Sequence, residues 1–271
     1  MTQLRRAAAP SDFDDSLRLT PVGRGSYRAE APERWSALIG VHGGYLAAIA
    51  THAAEVFAAD CCARTVSTTF LRPAVPGPLS IGVTELRRSR SLCTLVVDVG
   101  QARRTVASTR VTLVGRDVPN GIEWTPPVAI DLPDPADCEP IVDRSPSPHF
   151  RRAVGTLDPS SLPFTDGPRA MVRGYLRPND ARPIDAMWLA MASDWFPPPA
   201  FVRTGPPVGG ISVDLTTHVH RTLERLEDDW LMGQFEITTS DGGMATEHGV
   251  IATLDGVLLA ESFQTRWMVA K

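Results

Sequence analysis

GGYLAAIATHAAEVF, running from Gly43 to Phe57, is the stretch on which the fold turns. It is rich in alanine and repeats Leu46, Ile49, Ala50, Ala53 and Ala54 at helical spacing, so it predicts a helix with an apolar stripe. Beyond Phe57 the period changes. RTVSTTFLRP (Arg64 to Pro73) is β-branched, Pro76 and Gly77 mark a turn, and LSIGVTELRR (Leu79 to Arg88) alternates apolar with polar. SLCTLVVDVGQ and RTVASTRVTLVG alternate likewise, which completes a predicted antiparallel meander.

The same order recurs further along. AMVRGYLRP reads as a leading strand and IDAMWLAMASDW (Ile184 to Trp195) as a second helix; ISVDLTTHVHR, WLMGQFEITTS, MATEHGVIATL and GVLLAESFQTRW then read as four strands. One helix followed by four strands, twice over, predicts a duplicated α+β unit. FLRP at Phe70 to Pro73 has a faint echo in VHRT at Val219 to Thr222, and VAST before one last strand in LAES before the other. Between the halves Pro119, Pro126, Pro127, Pro133, Pro135, Pro140, Pro146 and Pro148 mark an extended connector. The expected division is a unit at 10–117, a connector at 118–149 and a unit at 150–271.

With 271 residues, 43% of them hydrophobic, the chain can build a sizeable core. A net charge of −4 gives no field to hold a polyanion, so nucleic acid is not an expected partner. The 27 basic residues include one lysine, Lys271, so arginine pairs carry little information about phosphate sites. Cys61, Cys62, Cys93 and Cys138 lack the spacing of a disulfide scaffold or a CxxC motif, Cys93 reading as a small buried hydrophobe. Neither an export signal nor a membrane span is legible, and the expectation is a cytoplasmic protein.

Several chemistries lack their motif. There is no P-loop, and GRGSYR (Gly23 to Arg28) lacks the third glycine of a dinucleotide fingerprint, so no nucleotide cofactor is expected. GISVD (Gly210 to Asp214) begins like a nucleophile elbow but ends in aspartate, ahead of strand-like sequence. His218 and His220 share a face of a predicted strand but lack a third ligand, so no metal is expected. His42 admits two readings, a helix-entry residue satisfied by backbone or a contact to a ligand.

Taken as a set, HGGYLAAIA, TTFLRPAVPGPLSIGVTELRRSRSL, ASDWFPP and DGVLLAESFQTRW resemble the acyl-CoA thioesterase II family and its thioesterase-like relatives. The resemblance is strongest over Val41 to Val114 and Ala186 to Trp267. It implies a double hotdog, two antiparallel sheets each wrapped around a central helix, and no cofactor. It also implies hydrolysis of a fatty or other acyl-CoA to free acid and CoA. The family's active-site aspartate maps to Asp194 and its glutamine to Gln264. Its hydroxyl residue, usually threonine two positions before an aspartate, falls on Ser212, a departure that keeps the hydroxyl.

The residues themselves bear on these assignments. Asp194 follows the apolar run MWLAMAS, so its carboxylate should emerge at a partly buried helix end, as a base or as the partner of an arginine. Gln264 falls at an inward position by alternation, although a solvent-facing edge placement is as compatible with the pattern. The water would be oriented by Asp194, Gln264 and Ser212, and backbone N–H groups at Gly43 and Gly44 would meet the oxyanion. Tyr45, Leu46, Trp188 and Trp195 are expected either to line an acyl tunnel beside the helices or to be plain core. Two rivals stand: an enoyl-CoA hydratase, which would want a histidine close to the aspartate, and a non-catalytic acyl-CoA or lipid-binding protein. Exposed sheet edges predict a homodimer or homotetramer.

Overall fold

The computed structural model describes residues 12–116, 118, 121–143, 147–203, 209–226 and 230–269. The expected outer bounds 10, 117 and 271, and the prolines Pro119 and Pro146, lie outside the described residues. The first half comprises α1 (Asp12–Ser16), β1 (Thr20–Gly23), β2 (Ser26–Ala31), the two-residue pair β3 (Ser36–Ala37) and β4 (Gly40–Val41), and α2 (Gly43–Phe57). The strands β5 (Cys61–Phe70), β6 (Gly77–Arg88), β7 (Leu92–Gln101) and β8 (Arg104–Gly115) complete it. The second holds β9 (Glu139–Pro140), β10 (Ala153–Leu157), β11 (Met171–Pro178), α3 (Ala186–Ala192), α4 (Ala200–Arg203), β12 (Gly209–Val219), β13 (Leu231–Asp241), β14 (Met244–Thr253) and β15 (Leu258–Val269).

Both halves have the same topology. In each, the strand after the main helix pairs with the last strand of the meander, giving β6-β7-β8-β5 in one and β13-β14-β15-β12 in the other. The expected pair of sheets is joined edge to edge, because β5 and β12 pair antiparallel from Asp214 opposite Thr69 to His218 opposite Thr65. Among the described residues, an antiparallel sheet of 13 strands results. α2 packs on β5 to β8, α3 on β12 and β5, and the two helices pack on each other, so each half is a hotdog unit.

Alternation explains which face the helices cover. Cys93, Leu95, Val97 and Val99 of β7 and Val111 and Leu113 of β8 are buried, as are Ala47, Ala48, Ala50, Ala53 and Ala54 of α2. The small alanines let the helix lie close to the sheet, where the apolar area removed from water is the main stabilising term.

α2 occupies the whole segment Gly43–Phe57 that the sequence predicts. α3 is shorter than predicted. Asp185 caps it by accepting from the Trp188 N–H at 2.8 Å, so Ile184 stays outside. At the other end the Ser193 hydroxyl bonds back to the Leu189 carbonyl at 2.8 Å and Pro197 to Pro199 cannot continue a helix. Ser193, Asp194 and Trp195 therefore form a turn closed by bonds from Asp194 N to Met191 O and Trp195 N to Ala192 O, both 3.2 Å.

GRGSYR is a hairpin turn between β1 and β2, with Gly25 at φ 67°. GISVD lies inside β12. The connector is less detached than its prolines suggest: β9 pairs with β10, and Ile130 and Cys138 pack with Tyr175 and Met232 of the second half. No helix among the described residues is long and apolar enough to cross a membrane.

Candidate active site

The head of α2 meets the tail of α3. Gly44 N–H donates to Asp194 Oδ2 at 3.0 Å, so the carboxylate sits at the positive end of the helix dipole of α2. Glycine is required there by contact. A Cβ on Gly43 would lie 2.8 Å from Asp194 Oδ2, and one on Gly44 would lie 2.5 Å from the Met191 carbonyl oxygen.

His42 caps α2. Its Nδ1 faces the Tyr45 N–H at 3.3 Å and so accepts, which leaves the proton on Nε2. Nε2 then donates to the Asp194 main-chain oxygen at 2.8 Å, one of the carbonyls freed by the end of α3. Nε2 is also 3.5 Å from Asp194 Oδ2. Burial holds His42 below the ordinary histidine range, against the pull of Asp194, so the ring is neutral. His149 stacks on it with centroids 4.4 Å apart and is pushed down to about 2, chiefly by burial.

β15 supplies the other side. Gln264 Nε2 donates to Asp194 Oδ1 at 2.8 Å and to Ser212 Oγ at 2.7 Å. Gln264 is 1% exposed and β15 lies between β12 and β14, so the edge-strand placement is excluded. Ser212 reaches the site through a β-bulge between Ser212 and Asp214. Leu215 and Thr217 point inward, and strict alternation from them would turn Ser212 outward; the extra residue, Val213, restores it to the inner face, opposite Arg266.

Two charged residues in the cluster were not singled out by the sequence. Arg266 donates to Gln264 Oε1 at 2.8 Å, to Ser212 Oγ at 3.2 Å and to Asp194 Oδ1 at 3.5 Å. Glu247 grips the same guanidinium, at 2.5 Å from Nε and 3.3 Å from Nη2. Their side chains are 4% and 3% exposed. Burial pushes Glu247 up despite Arg266, whereas Arg266 is pushed further up because Glu247 and Asp194 outweigh its own desolvation. The signal was present: Arg266 shares the inner face with Gln264 two residues before it, and Glu247 interrupts the inward row Ala245, Glu247, Gly249.

The first half carries an apolar counterpart of this cluster. β5 has its own bulge between Ala63 and Thr65, the strand position that Ser212 and Asp214 occupy in β12. Through the strand registers, Ser212, Arg266, Gln264 and Glu247 correspond to Ala63, Leu113, Val111 and Leu95, all buried.

His42, Gly43, Gly44, Asp194, Ser212 and Gln264 thus come together, but not every expected role survives. The Gly44 N–H, expected for the oxyanion, is engaged with Asp194; the Gly43 N–H has no partner among the described residues. Tyr45, Leu46, Trp188 and Trp195 are fully packed core side chains. The one hydrogen of the Tyr45 hydroxyl is shared between Ser16 O and Glu30 O, and Trp195 Nε1 donates to His149 O, so these polar atoms are engaged away from the carboxylate. None of the four lines the cleft of about 910 Å³ near the tail of α2, bounded by Arg24, Tyr27, His52, Phe57 and Arg88. His220 falls beyond the end of β12, and no group of three potential metal ligands is present among the described residues.

A family model for the acyl-CoA thioesterase N-terminal domain matches residues 31–114, and one for the C-terminal domain matches residues 135–268. A hotdog-fold protein of unknown function from Alicyclobacillus acidocaldarius is 24% identical, covering 97% of this chain and 100% of its own, with a TM-score of 0.83. A putative thioesterase II from Thermobifida fusca is 21% identical, covering 96% and 98%, with a TM-score of 0.82. The tesB protein of Mycobacterium avium subs paratuberculosis is 21% identical, covering 96% and 99%, with a TM-score of 0.76. No curated protein matches the chain. At such identities the solved structures carry the fold, and the two domain models, matched in chain order over most of the sequence, carry the family. The chain belongs to the double-hotdog acyl-CoA thioesterases, hydrolases of acyl-CoA thioesters.

Proposed function

We propose that Asp194 is the base of the hydrolysis, taking a proton from the water that attacks the acyl-CoA carbonyl carbon. The observation that carries this reading is a carboxylate 7% exposed, aligned by Gln264 and Gly44 from both sides. A thioester needs little further activation, because its carbonyl is electrophilic and thiolate leaves readily. Ser212 Oγ accepts from Gln264 and Arg266, so its own hydrogen is left to donate to the water. Gln264 uses its oxygen and both amide hydrogens within the cluster, and so aligns Asp194 with Ser212. The Gly43 N–H serves the developing oxyanion. Collapse of the tetrahedral intermediate breaks the C–S bond, and the proton held by Asp194 passes to the departing thiolate, releasing the acid and CoA.

The hydratase reading gains a histidine that the sequence did not place: His42 lies beside Asp194. Both of its ring nitrogens are engaged, however, and burial disfavours its charged form, so it is poorly suited to pass protons to an enoyl group. Asp194→Asn tests the assignment of the base. It keeps the shape of the side chain but cannot take the water's proton, and the expected loss in thiol release from acyl-CoA is about 10²- to 10⁴-fold with affinity nearly unchanged. In the unmodified protein, hydration of crotonyl-CoA without thiol release would favour the hydratase, and tight acyl-CoA binding with neither reaction would favour a binding protein.

The proposal extends to assembly and setting. Ile211, Met244, Phe263 and Trp267 expose apolar surface on neighbouring strands β12, β14 and β15, which supports a homodimer or homotetramer, to be read by light scattering. Four free thiols, at Cys61, Cys62, Cys93 and Cys138, support a reducing, cytoplasmic setting.

A further inference from the structure

We propose that Arg266 is a positioning residue of the hydrolysis and that Glu247 is its built-in counter-charge. The inference rests on the reading of Asp194 as the base. An amide side chain can present its oxygen and nitrogen either way round, and only its partners decide. Arg266 can only donate, and it lies 2.8 Å from Gln264 Oε1, so the amide oxygen is fixed toward the guanidinium and both amide hydrogens face Asp194 and Ser212. With the amide reversed, an NH2 group would face the guanidinium and an oxygen would face the carboxylate, two repulsive contacts. Arg266 also donates to Ser212 Oγ, and thereby directs the hydroxyl hydrogen away from the cluster.

A bare guanidinium at this place would carry a penalty for the chemistry. It lies 3.5 Å from Asp194 Oδ1, and a full positive charge there weakens the carboxylate as a base. Glu247 holds the guanidinium from the opposite side with two bonds, one to Nε and one to Nη2. The arginine can then orient Gln264 and Ser212 while much of its charge is compensated. The charged and titratable groups facing Asp194 are His42 from the loop before α2, Arg266 from β15 and Glu247 from β14 through Arg266; His149 stands behind His42.

The two charges make opposite predictions for the pH profile of kcat/KM, which loss of a merely structural contact would not. Glu247→Gln leaves Arg266 facing Asp194 alone, so the acid limb should move to lower pH by about one unit and kcat should fall about 10-fold at pH 7. The double variant Glu247→Gln with Arg266→Gln removes both charges and the fixed donor. Its acid limb should lie above that of Glu247→Gln, and its kcat should fall about 10²-fold with KM within about 3-fold of wild type. Arg266→Lys keeps the charge without the planar fork, so its limb should stay close to wild type while kcat still falls.

Each variant is measured on the full chain, with its melting temperature recorded beside the profile. If the double variant does not fold, Glu247→Gln decides, being nearly isosteric and retaining a hydrogen bond to the guanidinium. An unmoved acid limb in Glu247→Gln, or wild-type kcat in a folded double variant, overturns the inference. Failure of the reading beneath it looks different: Asp194→Asn would then turn over thioester at the wild-type rate, whatever Arg266 and Glu247 do.

Discussion

A single methyl group added to Gly44 meets the Met191 carbonyl oxygen at 2.5 Å and His42 Cε1 at 2.7 Å. Backbone cannot give way there without parting the two helix ends, and overpacking of this kind typically costs about 1–3 kcal/mol. Gly44→Ala should lower the urea midpoint accordingly. It should also reduce turnover, because the N–H that steadies Asp194 moves with the helix; wild-type kcat in this variant would show that the close approach serves packing alone. Ser212 gives a graded comparison. Ser212→Ala strands one donor hydrogen of Gln264 and one of Arg266, and removes the hydroxyl, so thioesterase assays should show a loss smaller than that of Asp194→Asn. Ser212→Thr keeps the hydroxyl and should retain most activity. Of these residues the sequence singled out His42, Gly44, Asp194, Gln264 and Ser212 as candidates, the last three through the family resemblance. It did not pair His42 with Asp194, because 152 residues separate them and the contact exists only once the helices dock.

At the scale of elements, α2 was legible because both its period and its glycine entry are local, and the main strands of both meanders because alternation is local. The end of α3 was not, since it depends on the Ser193 back-bond and on how the prolines after Phe196 are accommodated. The facing of Ser212 depends on the bulge at Val213, which alternation cannot reveal and in fact misreports. The corresponding bulge in β5 shows what the duplication did with the other copy of the site. There the charged pair is replaced by Leu95 and Leu113, both 0% exposed, and the space is filled by apolar packing. Leu95→Glu should therefore bury a carboxylate with no arginine to meet it, at a cost of about 3–5 kcal/mol read from the urea midpoint. Adding Leu113→Arg supplies the guanidinium in the register that Arg266 has in the second half, and should recover part of that loss. No recovery would mean that the packing of the first half holds the two side chains apart despite the matching register.

The whole molecule is held at a seam that no single half contains. β5 pairs with β12, α2 packs on α3, and the candidate site takes His42, Gly43 and Gly44 from one half and Asp194, Ser212, Gln264, Arg266 and Glu247 from the other. At that seam stand two neutral, stacked histidines, His42 and His149, both held below the ordinary histidine range by burial. A histidine whose folded pKa is depressed takes up its proton more readily when the chain unfolds. Its stabilising contribution is present above about pH 6.5 and is lost as the pH falls toward its folded value, about 2 for His149. Each such group should therefore cost up to about 1.4 kcal/mol for every pH unit below that point. Glu247 acts with the opposite sign, because a carboxylate raised by burial binds its proton in the folded chain first, and it offsets part of the slope. The histidine effect is therefore read as the difference in slope, below about pH 6.5, between urea titrations of the wild type and of a variant that lacks one titrating ring. His149→Phe keeps a ring against His42 and removes the titrating group. Its stability should fall less steeply over the same interval, by up to about 1.4 kcal/mol per pH unit. Parallel slopes for the two proteins would mean that His149 takes its proton in the folded state, and that the seam opens to water well before the sheet comes apart.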